Sequence, residues 1–349
     1  MSVNNKRVFY VKYLAHPIYT EILKARPDVR LDRLENETPE AEFAPVLSQA
    51  HAYQVGAARD EIAPHFHVHD ELLERAPNLL IVSSNGAGFD PVDVDACTRA
   101  GVLVVNQSGG NADSVAEHAL GMLLTLSKRI IEADRALRRD RGVNRNALIG
   151  REAGGSTIGI VGIGNVGRRL AELCRGLLRM NVLAYDPYLS KSEIAERGAQ
   201  KVELDELLTR SDYVSINCPL NKDNRGMIGA RQFALMQPHA FFITTARGFI
   251  HDEDALLQAL KDKRIAGAGL DVWSKEPPPP EHPLLQFDNV LASPHTAGVT
   301  REARENMGRI AAEQILDALD GKRPPRIINP EVWPHYSERF ARAFGVTPR

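Results

Sequence analysis

An arginine, a glutamate and a histidine stand just past three strand-like runs in the second half of the chain: Arg247 follows "FFITTA", Glu276 follows "GLDVWSK" and His295 follows "VLASP". An imidazole can take up or release a proton near neutral pH. A guanidinium fork holds a planar pair of oxygens better than an ammonium does. Taken singly, each residue has a plainer explanation: a histidine after proline bonding its own loop, Arg247 paired with Asp252 or Glu253, Glu276 as a solvated acid before four prolines. Together they occupy the rim where open α/β sheets receive ligands, and all three lie downstream of a nucleotide-binding pattern.

That pattern is "TIGIVGIGNVGRRL", residues 157–170, which reads as a strand, a glycine turn and a helix. In its G-x-G-x-x-G spacing Gly162 permits the sharp turn, Gly164 lets a pyrophosphate approach the backbone, and Gly167 lets the helix pack closely on the strand. The N–H groups at the helix start, around Asn165 and Val166, then face the phosphates. Glycine turns of this kind also arise without a ligand, so context decides. The next strand-like run, "NVLAYD", ends in Asp186 followed by Pro187, 19 residues past Gly167. A carboxylate there binds ribose hydroxyls and repels a 2′-phosphate, which favours NAD over NADP.

The elements that must position these groups alternate along the chain. In the first hundred residues "RVFYVKYL", "VRLDRL", "AYQVG", "LLIVSS" and "VLVVN" read as strands, with helical segments near 17–26, 40–50, 68–76 and 90–100. Such alternation indicates a parallel sheet covered on both faces, and this first unit carries no phosphate-binding glycine motif. From residue 157 the rhythm restarts with six runs, "TIGIVG", "NVLAYD", "YVSINC", "AFFITT", "IAGAGLD" and "NVLASP", which suit a doubly wound nucleotide-binding sheet. Helical segments fall between them at 166–178, 190–198, 204–210, 231–236 and 252–262.

Two long amphipathic segments bracket the second unit. One follows "NQSGGNAD", with Asp113 or Ser114 as its cap and Glu117 at capping-box distance, and runs for some twenty residues; the other is "TREARENMGRIAAEQILDALDG". The second unit is therefore expected to be inserted into the first. This gives an α/β fold of two domains: a discontinuous flavodoxin-like substrate domain over 1–107 and 299–349, and a Rossmann NAD-binding domain over 108–298. A cofactor and a small substrate would meet in the cleft of such a pair.

Composition suits an ordinary soluble globular protein and narrows the alternatives. The chain has 349 residues, 43% hydrophobic and 25% charged, with a formal net charge of -2 and no basic run to follow a phosphate backbone. Nucleic acid is not an expected partner. Three cysteines far apart, with no C-x-x-C pair, suit a reducing cytoplasm and argue against a disulfide framework or a structural zinc site, and no metal is expected. The N-terminal "MSVNNKRVFYVKYLAHP" lacks the apolar block of a secretory signal, and "HALGMLLTLS" falls short of a membrane span.

The stretches "GIVGIGNVGRRLA", "ARGFIHDEDALLQAL", "AGAGLDVWSKEPPPPEHPLL" and "NVLASPHTAGVTREA", with "VVNQSGGNADSVAEHALGMLL", cover most of the region from 100 to 310. In them the chain resembles the D-isomer-specific 2-hydroxyacid dehydrogenase family. The resemblance implies an NAD-dependent oxidoreductase moving a hydride between nicotinamide and a D-2-hydroxy acid or 2-keto acid. It implies His295 as general acid in reduction and base in oxidation, Glu276 as its hydrogen-bonded partner, and Arg247 as the substrate anchor. Glu276 should raise the pKa of His295 by stabilising the imidazolium.

The same resemblance carries lesser roles. It implies cofactor contacts at Pro187, Cys218, Pro219, Thr245 and Ala246, and Asp271 beside the nicotinamide carboxamide. It implies a substrate-carboxylate turn at "NGAG", Asn85, Gly86, Ala87 and Gly88, through backbone N–H groups. Two residues depart from the common pattern, Asn217 where many members carry His and Thr244 where Asn is common, and both bear on the cofactor. A homodimer is implied through the long helix after the first crossover, with Trp333, Tyr336 and Phe340 of the tail adding to the contact. Substrate identity stays open between a 3-phosphoglycerate-like acid, for which Arg59 offers a cation, and a glyoxylate- or hydroxypyruvate-like acid. The alternative from another class is an NAD(H)-sensing, corepressor-like binding protein of the same fold.

Overall fold

The computed structural model describes residues 6–56, 59, 62–139 and 142–349. It divides into two compact units, Met1–Asn111 with Thr300–Arg349, and Ala112–Val299. The expected division at 107/108 moves four residues because the Asn/Ser/Gly loop is tied into the first unit. There Gln314 Nε2 donates to the carbonyl of Asn106 (2.9 Å), and Arg326 Nε to that of Ser108 (2.9 Å).

The first unit contains β1 (Lys6–Val11), β2 (Val29–Leu34), β3 (Ala52–Val55), β4 (Ile81–Ser84) and β5 (Leu103–Val105), in the order β2-β1-β3-β4-β5 with every pair parallel. Alternate residues feed two cores: Phe9, Tyr53 and Val82 lie on one face, and Val8, Ala52 and Ile81 on the other. The helix Arg301–Leu319, capped by the Thr300 hydroxyl, covers the second face. A helix not read from the sequence, Trp333–Phe344, completes it. Its Tyr336 and Phe340 are buried, and the Tyr336 hydroxyl donates to the carbonyl of Ala318. Of the tail aromatics expected at a subunit contact, Tyr336 and Phe340 thus belong to the unit's own core, and Trp333 packs half-buried against it.

The second unit contains β6 (Thr157–Val161), β7 (Asn181–Tyr185), β8 (Gln200–Lys201), β9 (Tyr213–Ile216), β10 (Phe241–Thr244), β11 (Gly267–Leu270) and β12 (Val290–Ala292). Their order, β12-β11-β10-β9-β6-β7-β8, is all parallel and reverses direction at β6 and β9. The two-residue β8 was too short to leave a periodic signal. The glycine turn leaves β6 at this reversal, which is where doubly wound sheets bind nucleotides.

The expected twenty-residue helix is two helices, Ala112–Ser127 and Ile130–Arg139. The chain breaks because Arg129 turns left-handed (φ 52°) and Arg151 N–H takes the carbonyl of Ser127 (2.7 Å). Neither expected cap forms. Ser114 Oγ donates to the carbonyl of Ala297 (2.6 Å), and Asp113 pairs with Arg169 (2.6 Å). No described helix is long and apolar enough to cross a membrane.

Candidate active site

Arg247, Glu276 and His295 lie within the second unit, on the loops that leave β10, β11 and β12. His295 Nδ1 is 2.6 Å from Glu276 Oε2. The other Glu276 oxygen, Oε1, accepts the N–H of Trp273 (3.0 Å), and Trp273 Nε1 donates to the carbonyl of Ser293 (3.0 Å). One indole residue therefore ties the loop that carries the acid to the loop that carries the base.

These contacts set the charges. The hydrogen bond from Glu276 raises the His295 pKa, against the opposing effects of burial and of the Arg247 charge. For Glu276 burial is the largest single influence and pushes its pKa up. The His295 hydrogen bond and charge, the Trp273 N–H and Arg247 together outweigh it and leave the carboxyl below its usual value. Both groups thus feel the Arg247 guanidinium, whose Nη1 donates to the carbonyl of Ala246 (2.8 Å). The arginine is brought there by a close approach: a Cβ on Gly248 would stand 2.2 Å from the backbone of Trp273.

His295 adopts φ +55°, a left-handed conformation that costs a non-glycine residue roughly 1–2 kcal/mol. Asp271 holds it there. The carbonyl of Asp271 accepts His295 N–H (2.7 Å), and its carboxylate accepts Thr296 N–H (2.8 Å), Ala297 N–H (2.9 Å) and Ser293 Oγ (2.6 Å). Asp271 is fully buried, so the acid expected beside the carboxamide acts in this structure as a clamp on the histidine loop. Ser293 and His118, whose Nε2 lies 3.0 Å from Ser293 Oγ, belong to the same network, and neither was singled out from sequence. Their only signal was membership of "VLASP" and "VAEHAL".

The nucleotide turn has the shape its glycines require. Gly162 has φ +85°, and a Cβ there would meet Cys218 at 2.7 Å; a Cβ on Gly167 would stand 2.2 Å from the carbonyl oxygen of Gly162. Gly164 has nothing within 4 Å of its Cβ position, so the space that a side chain would fill is open to a pyrophosphate. Asn165 and Val166 open the helix Asn165–Leu178, whose first turn carries no acid. Asp186 directly follows β7 with its carboxylate on the turn, accepting the N–H of Ile163 (3.2 Å) and of Tyr188 (3.1 Å), the residue after Pro187.

Cys218 and Pro219 leave β9 opposite Gly162. Burial pushes the Cys218 thiol up to about 11, so it contributes shape and no charge. Asn217 donates to Ser215 Oγ (3.0 Å), while its Oδ1 and the hydroxyls of Thr244 and Thr245 are buried polar atoms with no partner among the described residues. Acceptors and hydroxyls left unpaired at the ends of β9 and β10 suit a polar ligand that brings its own hydrogen bonds. The residues present fit a dinucleotide.

The "NGAG" turn lies in the first unit, after β4. Asn85 N–H donates to the carbonyl of Val55 (2.8 Å) and Gly86 N–H to Gln107 Oε1, so two of the four N–H groups expected to meet a carboxylate are committed to the protein. Ala87 and Gly88 remain for that role. Arg59 donates its Nε to the carbonyl of Asp90 (2.9 Å); its neighbours 57, 58, 60 and 61 in the same loop lie outside the described residues.

The family model for the D-isomer-specific 2-hydroxyacid dehydrogenase NAD-binding domain matches residues 120–297. A D-3-phosphoglycerate dehydrogenase of Archaeoglobus fulgidus is 42% identical over 251 residues, 72% of this chain and 47% of that protein. The chain therefore spans about half the length of that relative. A glyoxylate reductase of Thermofilum pendens is 40% identical over 266 residues, 75% of this chain and 78% of that protein. Among solved structures, a D-lactate dehydrogenase from Aquifex aeolicus complexed with NAD and lactic acid superposes with a TM-score of 0.77 at 27% identity, covering 92% of this chain and 98% of that one. The chain belongs to the D-isomer-specific 2-hydroxyacid dehydrogenase family and carries its NAD-binding domain.

Proposed function

We propose that this protein is an NAD-dependent oxidoreductase that interconverts a small D-2-hydroxy acid and its 2-keto acid. The observation that carries the reading is the His295–Glu276 pair at 2.6 Å, with the histidine pKa raised and the acid kept ionised. Bound nicotinamide would supply the hydride in reduction and accept it in oxidation. With Nδ1 held by Glu276, His295 presents Nε2 to give a proton to the carbonyl oxygen in reduction and to take it from the hydroxyl in oxidation. Arg247 would hold the carboxylate and carbonyl oxygens of the substrate in one plane. Ala87 and Gly88 N–H would receive the carboxylate on the first unit. Asp186 directly after β7 would bind the ribose and disfavour a 2′-phosphate.

The substrate is a glyoxylate- or hydroxypyruvate-like acid or a 3-phosphoglycerate-like one. Arg59, the cation considered for a phosphate, commits only its Nε to the carbonyl of Asp90 and keeps four further N–H donors for one. We place the reaction in a reducing cytoplasm, which suits three free thiols. We assign a homodimer because the amphipathic helix Ile130–Arg139 buries none of its residues and leaves Ile130 54% and Leu137 72% exposed.

The test is NADH oxidation by purified protein with a panel of 2-keto acids, phosphorylated and not. His295→Ala should abolish turnover and leave NADH binding intact. Wild-type protein that binds NADH but turns over no acid in the panel would favour the sensing, corepressor-like alternative instead.

A further inference from the structure

The turn after β4 owes its shape to a residue outside every role assigned so far. Gln107, fully buried, grips Gly86 from both sides of one residue: its backbone N–H donates to the Gly86 carbonyl (2.7 Å) and its Oε1 accepts the Gly86 N–H. Its Nε2 donates to Ser83 Oγ (2.9 Å) on β4, which fixes the orientation of the amide. The carbonyls that follow are held as well, Ala87 O by Asn106 Nδ2 (2.8 Å) and Gly88 O by Ser84 Oγ (2.5 Å).

Peptide geometry turns these bonds into a direction. In a trans peptide the C=O of one residue and the N–H of the next point opposite ways. With Gly86 O drawn to Gln107, Ala87 N–H must point away from it. With Ala87 O drawn to Asn106, Gly88 N–H must point away from that side chain. Ala87 N–H thus points away from Gln107 and Gly88 N–H away from Asn106, with Ala87 itself exposed and Gly88 half-buried. Successive N–H groups presented in this way form an anion-binding concavity. Gly86 adopts φ +93°, which glycine takes without strain and an L side chain rarely does, so the turn can present its peptides this way.

We infer that Gln107 is a positioning residue for substrate binding: by capturing Gly86 N–H it sets the two following N–H groups to receive the carboxylate of a 2-keto acid. This deepens the proposed function and rests on its reading of the turn. Gln107→Met keeps the side-chain length and the backbone bond to Gly86 but removes the side-chain clamp. Ser83→Ala removes only the anchor of the amide.

The experiment combines steady-state kinetics of Gln107→Met and Ser83→Ala with amide hydrogen exchange followed by NMR. The KM for the keto acid should rise about tenfold in Gln107→Met and less in Ser83→Ala, with kcat and the KM for NADH nearly unchanged. In wild type Gly86 N–H should be protected without ligand, while those of Ala87 and Gly88 should become protected only when oxamate is added with NADH; Gln107→Met should free Gly86. An unchanged keto-acid KM, an equal rise in the KM for NADH, or rapid exchange at Gly86 in wild type would overturn the inference. If Gln107→Met does not fold, Ser83→Ala and the wild-type exchange pattern decide it. Absence of wild-type turnover with any keto acid sinks the proposed function; the exchange pattern with oxamate still tests the clamp.

Discussion

Glu276 Oε2 lies 2.6 Å from His295 Nδ1, and its other oxygen is occupied by the N–H of Trp273. The carboxylate therefore has one free allegiance, to the imidazole, and that bond is the largest influence raising the histidine pKa. The remaining ring nitrogen is the one free to exchange a proton with a ligand. A similar economy governs Asp271, whose every acceptor serves the loop around His295.

The first prediction concerns pH. Reduction needs the protonated ring, so its rate should fall as pH rises through the raised His295 pKa, while oxidation should gain over the same range. Glu276→Gln removes the main cause of the shift and should move both limbs to lower pH, with a loss of turnover on the order of 10²-fold. A pH–rate profile of the variant superimposable on wild type would refute the pairing.

The second concerns the glycine turn. Gly164→Ala places a methyl in open space and should leave the melting temperature unchanged while weakening NADH binding at least tenfold, about 1.4 kcal/mol. Gly167→Ala puts the same methyl 2.2 Å from the Gly162 carbonyl oxygen and should instead lower the melting temperature. Calorimetry beside NADH titration separates the two outcomes.

The third concerns stability in acid. His251 is buried with both ring nitrogens unpartnered among the described residues, and burial lowers its pKa from 6.5 to about 4. Above pH 6.5 the ring is neutral whether the chain is folded or not. As pH falls toward 4 the unfolded chain takes a proton that the folded one refuses, which costs roughly 3 kcal/mol of stability. His251→Leu should flatten this loss, as read from urea unfolding on either side of pH 6.5. A loss as steep as in wild type would place its cause elsewhere.

The fourth concerns the tail. Tyr336 is fully buried against the helix Arg301–Leu319, and its hydroxyl bonds Ala318. Tyr336→Ala should destabilise the first unit by about 3–5 kcal/mol. If Tyr336 instead served a subunit contact, the variant would dissociate a dimer at unchanged monomer stability, which sedimentation and calorimetry together would reveal.

Much of this protein was legible in its residues because the relevant signals are local. The strand runs fell on β1 to β7 and β9 to β12, since alternation of β-branched residues and turns is written within a few positions. The glycine turn and the acid at Asp186 were equally plain, as both report on one strand–turn–helix–strand passage. The break at Arg129 was not, because it depends on a returning segment around Arg151.

What the sequence by itself determined is the set of elements, the nucleotide turn and the order in which Arg247, Glu276 and His295 arrive. Only the tertiary structure decided that Asp271 clamps the histidine loop, that His118 joins its network, that Tyr336 and Phe340 are core, and that Gln107 captures Gly86. Each of these is a hydrogen bond or packing contact across tens of residues. Strand order and register fix such pairs, and no short-range spacing records which strands will lie side by side.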